Sequence, residues 1–261
     1  MPSSRHSSLK KLASALILLL TFVSTGFCAD EPKTTPQNAL VQPKDHISII
    51  GGTLADRMQH DGWLEAFLYS RFPKYDLVVR NLGFAADDLK VRLRSANFGT
   101  PDQWLTKTKT DVVLAFFGYN ESFAGAAGVA AFKKNLEDFI KKTQSQKYNG
   151  HSSPRLVLFS PIAHENLHDR NLPDGTANNK RLELYTAAMA EVANANGVPF
   201  VDLFHPTREL YATSGVPLTI NGVHLNERGN ELVAQIIDKA LFAQSAEPRR
   251  EIGRASCRER V

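Results

Sequence analysis

Five short apolar runs, each followed by a stretch with helical periodicity, decide the fold class of this 261-residue chain. The runs are His46–Ile50, Leu77–Arg80, Asp111–Phe117, Arg155–Ser160 and Pro199–Leu203. Each has strand length and a β-rich composition, and none keeps the strict apolar–polar alternation of a half-exposed strand. That pattern suits parallel strands buried on both faces. Between them Trp63, Ala66, Phe67 and Ser70 share one helical face, and Phe132, Leu136, Phe139 and Ile140 do so within Val129–Lys147. Leu182, Tyr185, Met189, Val192 and Ala193 form a further stripe that ends at Gly197, and Leu232, Val233, Ile236, Ile237 and Leu241 form the last. The expected fold is α/β: a three-layer α/β/α sandwich on an open, flavodoxin-like parallel sheet. No internal repeat is visible.

Both ends of the chain read differently from this body. Residues 1–29 have the pattern of a secretory signal peptide: basic Arg5, Lys10 and Lys11, then an apolar run from Leu12 to Val23, then small residues. A lipoprotein reading of Cys28 is weakened by bulky Phe27 before it, and the apolar run is short for a retained membrane span. Residues 30–45 form a polar, proline-containing extended linker, and 46–245 form the domain. Residues 252–261 back-translate into a common sequencing-adapter sequence and read as an artefact, with the natural protein expected to continue differently. Of the formal net charge of +4, the signal contributes +3 and the tail +2, which leaves a body near about −1. The basic balance therefore gives no reason to expect a nucleic-acid partner. Cys28 and Cys257 both fall in these outer segments, so neither a disulfide framework nor a thiol nucleophile is expected in the domain.

In an open parallel sheet, ligands bind beyond the carboxyl ends of the strands. Four segments of the chain are expected there: Gly51-Gly52-Thr53-Leu54 after the first run, Asn81-Leu82-Gly83 after the second, Gly118-Tyr119-Asn120-Glu121 after the third, and Asn221-Gly222-Val223-His224 before the last helix. Taken singly, each has a plain reading. By itself the first segment favours a plain strand-to-helix turn with Thr53 as N-cap over a hydroxyl at the mouth of a site. Asn226 reads as the N-cap of the last helix, and Asp87 and Asp88 as caps of the helix after Gly83. Lys133-Lys134 and Lys141-Lys142 read as a solvated helix face.

In order and spacing the four segments resemble the blocks of the SGNH (GDSL-type) hydrolase family, and the resemblance covers nearly all of 45–243. It implies Thr53 as nucleophile where the family carries serine, His224 as general base, and Asn221 as the residue orienting it where the family carries aspartate. The Gly83 backbone N–H and the Asn120 amide would form the oxyanion hole. It also implies ester hydrolysis of short acyl or acetylated-carbohydrate substrates, with no metal and no cofactor. Two departures bear on rate. The threonine methyl restricts χ1 and crowds an attacking geometry. Asparagine cannot supply the negative charge that stabilises an imidazolium, a change that lowers turnover about 10⁴-fold in serine proteases.

A competing motif is His164-Glu165-Asn166-Leu167-His168, which matches the H-E-x-x-H zinc helix of metalloproteases. A following Asp169–Gly175 stretch limits any helix there to about two turns, and Asn171 and Asp174 stand where an extended motif needs Gly and His. Two function classes remain open. The first is an exported, attenuated SGNH-type ester hydrolase without a stable membrane span after signal cleavage. The second is a catalytically inactive SGNH-like carbohydrate- or ligand-binding domain of a larger, truncated protein.

Overall fold

A computed structural model describes residues 40–92 and 97–243. The expected signal peptide, most of the 30–45 linker and the 252–261 tail lie outside the described residues. The elements run β1 His46–Gly51, α1 Thr53–Asp61, α2 Trp63–Arg71, β2 Val78–Asn81, α3 Pro101–Lys107, β3 Val112–Phe116 and, after a 3₁₀ turn at Glu121–Ala124, α4 Gly125–Gln144. They continue with β4 Arg155–Phe159, α5 Thr176–Ala195, β5 Phe200–Val201, α6 Phe204–Thr213 and α7 Glu227–Phe242. All four strand pairings are parallel, in the order β2-β1-β3-β4-β5. The order reverses between β1 and β3, and this is where such sheets open a crevice for a ligand.

The absence of alternation in the strand sequences has a direct cause. Along β3, Val112, Leu114 and Phe116 enter one apolar cluster with α1, α2 and α7, whereas Val113 and Ala115 enter a second with α4 and α5. Every residue of β3 is buried, so both faces select apolar side chains. Phe116 and Phe159 stack at 4.2 Å across the β3–β4 pair. Burying each such ring contributes roughly 1.5–3 kcal/mol. On one outer layer Arg71 of α2 grips Asp238 of α7 through two hydrogen bonds of 2.8 and 2.6 Å, both residues being buried. Among the described residues no helix is long and apolar enough to cross a membrane.

Three local expectations are corrected. Asp87 and Asp88 cap no helix. The next helix, α3, begins at Pro101 and is capped by Thr100, which forms a reciprocal capping box with Gln103. Asp88 instead closes a turn by accepting from the N–H groups of Lys90 and Val91, and Asp87 is buried beside Arg92. Thr53 is the first residue of α1 and not its cap; Gly52 holds the cap position. The His164–His168 segment is not helical at all, so its two imidazoles do not share a helix face. The expected N-cap of α7 is observed, with Asn226 Oδ1 accepting from Gly229 N–H at 2.9 Å.

Candidate active site

The crevice at the carboxyl ends of β1, β3 and β4 contains a cavity lined by Gly52, Thr53, Asn120 and His224, with Phe116, Phe117 and Ile162 as apolar lining. The cavity volume is about 60 Å³. Three of the four segments singled out in the sequence thus meet in one place.

Thr53 stands where β1 ends and α1 begins. Its Oγ1 accepts a hydrogen bond of 3.3 Å from the backbone N–H of Ala86. Ala86 has φ of +66°, a left-handed conformation that costs a residue with a Cβ on the order of 1 kcal/mol. The expected donor, Gly83, is placed differently. Its N–H donates to Asn81 Oδ1 at 2.9 Å, and it does not line the cavity. Gly83 is glycine for packing: a Cβ there would stand 2.7 Å from the Asp56 backbone nitrogen and 2.8 Å from the Ala55 Cβ. Asn81 completes this joint by donating to Ala55 O at 2.7 Å. The backbone N–H that reaches the Thr53 hydroxyl therefore belongs to Ala86. No glycine marks that position in the sequence, which is why the residue pattern passed over it.

Asn120 lines the cavity from the end of β3, and its Nδ2 donates to Asp87 O at 3.0 Å. That bond ties the Asn120 loop to the Ala86 segment and leaves the second amide hydrogen available. The loop itself is held from within: the Glu121 carboxylate accepts from Gly118 N–H at 2.9 Å and Leu89 N–H at 3.0 Å. Burial raises the pKa of Glu121 despite these bonds.

The fourth segment is a closed loop before α7. Thr219 and Leu225 form an antiparallel bridge, and Ile220 N–H donates to His224 O at 2.8 Å. Within it Asn221 Oδ1 accepts from the N–H groups of Val223 (3.3 Å) and His224 (3.1 Å), while Asn221 Nδ2 lies 2.9 Å from His224 Nδ1. The pKa of His224 is lowered, first by burial and then by the positive charge of Arg57.

The H-E-x-x-H letters have a part in this loop. Glu165 is 5% exposed, and its carboxylate accepts from Leu218 N–H, Thr219 N–H (2.7 Å) and the Thr219 hydroxyl (2.6 Å). Its own N–H donates to Gly222 O at 2.8 Å. His164 packs against Gly222, whose φ is +90° and where a Cβ would fall 2.4 Å from His164 Nε2. Asn179 clamps the His164 backbone, accepting from its N–H at 2.7 Å and donating to its carbonyl at 2.9 Å. The pair is thus a support for the His224 loop. Among the described residues no cluster of three or more His, Cys, Asp or Glu side chains could hold a metal ion.

A search of curated proteins finds no sequence match. Solved structures share the fold. A gut microbial diltiazem-metabolizing enzyme superposes with TM-score 0.60 at 17% identity over 77% of this chain and 47% of its own, so the chain spans about half of that enzyme's length. An alpha/beta hydrolase enzyme from the metagenome of Lake Arreo, Spain, gives TM-score 0.60 at 18% identity, covering 78% of this chain and 98% of that one. A catalytic mutant of an acetylxylan esterase from Geobacillus stearothermophilus gives 0.58 at 13% identity over 77% and 95%. At these identities the likeness is one of fold. Residues 48–232, the stretch that carries most of the sheet and every residue of the cavity, match the model of the GDSL-like lipase/acylhydrolase family, and the chain belongs to that family.

Proposed function

We propose that this protein is an exported hydrolase of short acyl esters, acetylated carbohydrate among them, working at an attenuated rate. The observation that carries the reading is the convergence of Thr53, Asn120 and His224 on one small cavity with the Ala86 N–H on the Thr53 hydroxyl. In the proposed reaction Thr53 Oγ1 attacks the acyl carbon and its proton passes to His224 Nε2. The carbonyl oxygen becomes an oxyanion held by the Ala86 N–H and the Asn120 amide. Collapse expels the alcohol, which takes the proton from His224, and water then cleaves the threonyl ester by the same route to release the acid.

Attenuation rests on Thr53 and Asn221, which stand where the family resemblance calls for serine and aspartate. The carbohydrate class is supported by the acetylxylan esterase among the fold neighbours. Export is supported by the Arg5, Lys10, Lys11 and Leu12–Val23 pattern. The test is hydrolysis of 4-nitrophenyl acetate by the full chain beside His224→Ala. Turnover above background that disappears in the variant is expected. Equal background rates from two folded proteins would overturn the hydrolase and leave a ligand-binding domain.

A further inference from the structure

The hydrogen bonds of Asn221 decide more than the orientation of His224. Its Oδ1 accepts from two backbone N–H groups, those of Val223 and His224. Turning the amide over would set the Nδ2 hydrogens against those two donors and leave both without an acceptor. The amide is therefore fixed with Nδ2 facing His224 Nδ1, at 2.9 Å. Nδ2 can only donate, so Nδ1 must accept with its lone pair. A neutral imidazole carries one N–H, and that N–H then lies on Nε2.

We propose that Asn221 is a positioning residue that holds His224 in the Nε2–H tautomer, so that the resting imidazole meets the cavity as a hydrogen-bond donor and not as a base. Rate attenuation through this residue rests on the ester-hydrolase reading above; the tautomer itself does not. To receive the Thr53 proton, Nε2 needs its lone pair. The ring proton must first move to Nδ1, where it would face the Asn221 amide hydrogens. The alternative is to rotate Asn221 away from its two backbone donors. Either route makes the reactive arrangement a minor state. An imidazolium meets the same obstacle, because both of its nitrogens carry hydrogens. Aspartate would remove the obstacle with little change of shape. One carboxylate oxygen would keep the bonds from Val223 and His224, and the other would accept from Nδ1–H, leaving the Nε2 lone pair to the cavity.

The test reads the tautomer directly. Long-range ¹H–¹⁵N correlation spectra of the ¹⁵N-labelled full chain are recorded at a pH above the imidazole range, with His224→Gln used to assign the ring. The expected spectrum has Nδ1 unprotonated and Nε2 protonated. In Asn221→Asp the pattern reverses, and kcat for 4-nitrophenyl acetate rises roughly tenfold or more with KM little changed, a general base contributing about 10²–10⁴ when correctly poised. A protonated Nδ1 in the parent protein overturns the proposal, whatever the activity. If Asn221→Asp does not fold, the parent spectrum decides alone. The expected tautomers in both proteins with no ester turnover in either would uphold this assignment and sink the hydrolase reading instead.

Discussion

Replacing Glu165 with alanine tests whether this residue supports the His224 loop. Its carboxylate receives three hydrogen bonds from the loop, from Leu218 N–H, Thr219 N–H and the Thr219 hydroxyl, at a site 5% exposed. Hydrogen bonds to a charged group contribute about 1.5–3 kcal/mol each, so three set an upper bound near 9 kcal/mol. The full sum is not reached, because the Thr219 hydroxyl can turn and the truncated side chain leaves room for water. The expected loss is about 3–5 kcal/mol, near the top of what single substitutions produce. For a domain of this size that corresponds to a fall in Tm of roughly 10 °C. Urea and thermal unfolding followed by near-ultraviolet circular dichroism measure it. Glu165→Gln, which keeps one acceptor oxygen, should lose about half as much. An alanine variant within about 1 kcal/mol of the parent would refute the supporting role.

Burial lowers the pKa of His224, and also that of His164, below the ordinary value of 6.5. The unfolded chain then takes up protons first as pH falls, so these groups lower stability progressively from about pH 6.5 downward and cost nothing above it. Glu65 and Glu121, whose pKa values burial raises, act in the opposite sense, so the clean measurement is the parent minus His224→Gln. That difference should fall with acid, and a flat or rising difference would contradict the sign. Ala86→Gly removes the Cβ from a φ of +66° and should stabilise by about 0.5–1 kcal/mol without lowering ester turnover, since the backbone N–H remains. A destabilised variant in urea titration would show that the left-handed turn is not strained. Asp238→Ala strips the buried Arg71 of its paired oxygens and should cost about 3–5 kcal/mol. A loss below about 1 kcal/mol would mean that water reaches the guanidinium.

The strand runs were legible because the parallel sheet buries both faces. Residues such as Val112 to Phe116 have no freedom to be polar, and five runs in sequence became five strands. The helices with broad apolar stripes were legible for the same reason. Short α3 and α6 bury few side chains, Leu105 in one and Phe204 and Thr207 in the other, and left too faint a periodicity to read. That Thr53, Asn120 and His224 lie near one another was legible because each stands at a strand end or before a helix, and the structure lines one cavity with all three. The donor at Ala86 was not found, because a backbone N–H leaves no letter and alanine does not announce a left-handed turn. Gly83 drew attention as a glycine but is one because α1 packs against it. Glu165 looked like chemistry inside a zinc motif. Its partners lie more than fifty residues away in the chain, at Leu218 and Thr219, and only the fold brings them together.

Attack by Thr53 is the step on which the proposed slow ester hydrolysis depends. It is tested most directly by mass spectrometry of the full chain after incubation with 4-nitrophenyl acetate. The 4-nitrophenolate group leaves with little help from a base, so the attack outpaces the water step and the threonyl ester should accumulate. One acetyl group is expected on the peptide that carries Thr53, lost on prolonged incubation and absent in Thr53→Ala. Turnover with no acetyl group at Thr53, or with the same turnover in Thr53→Ala, would contradict it.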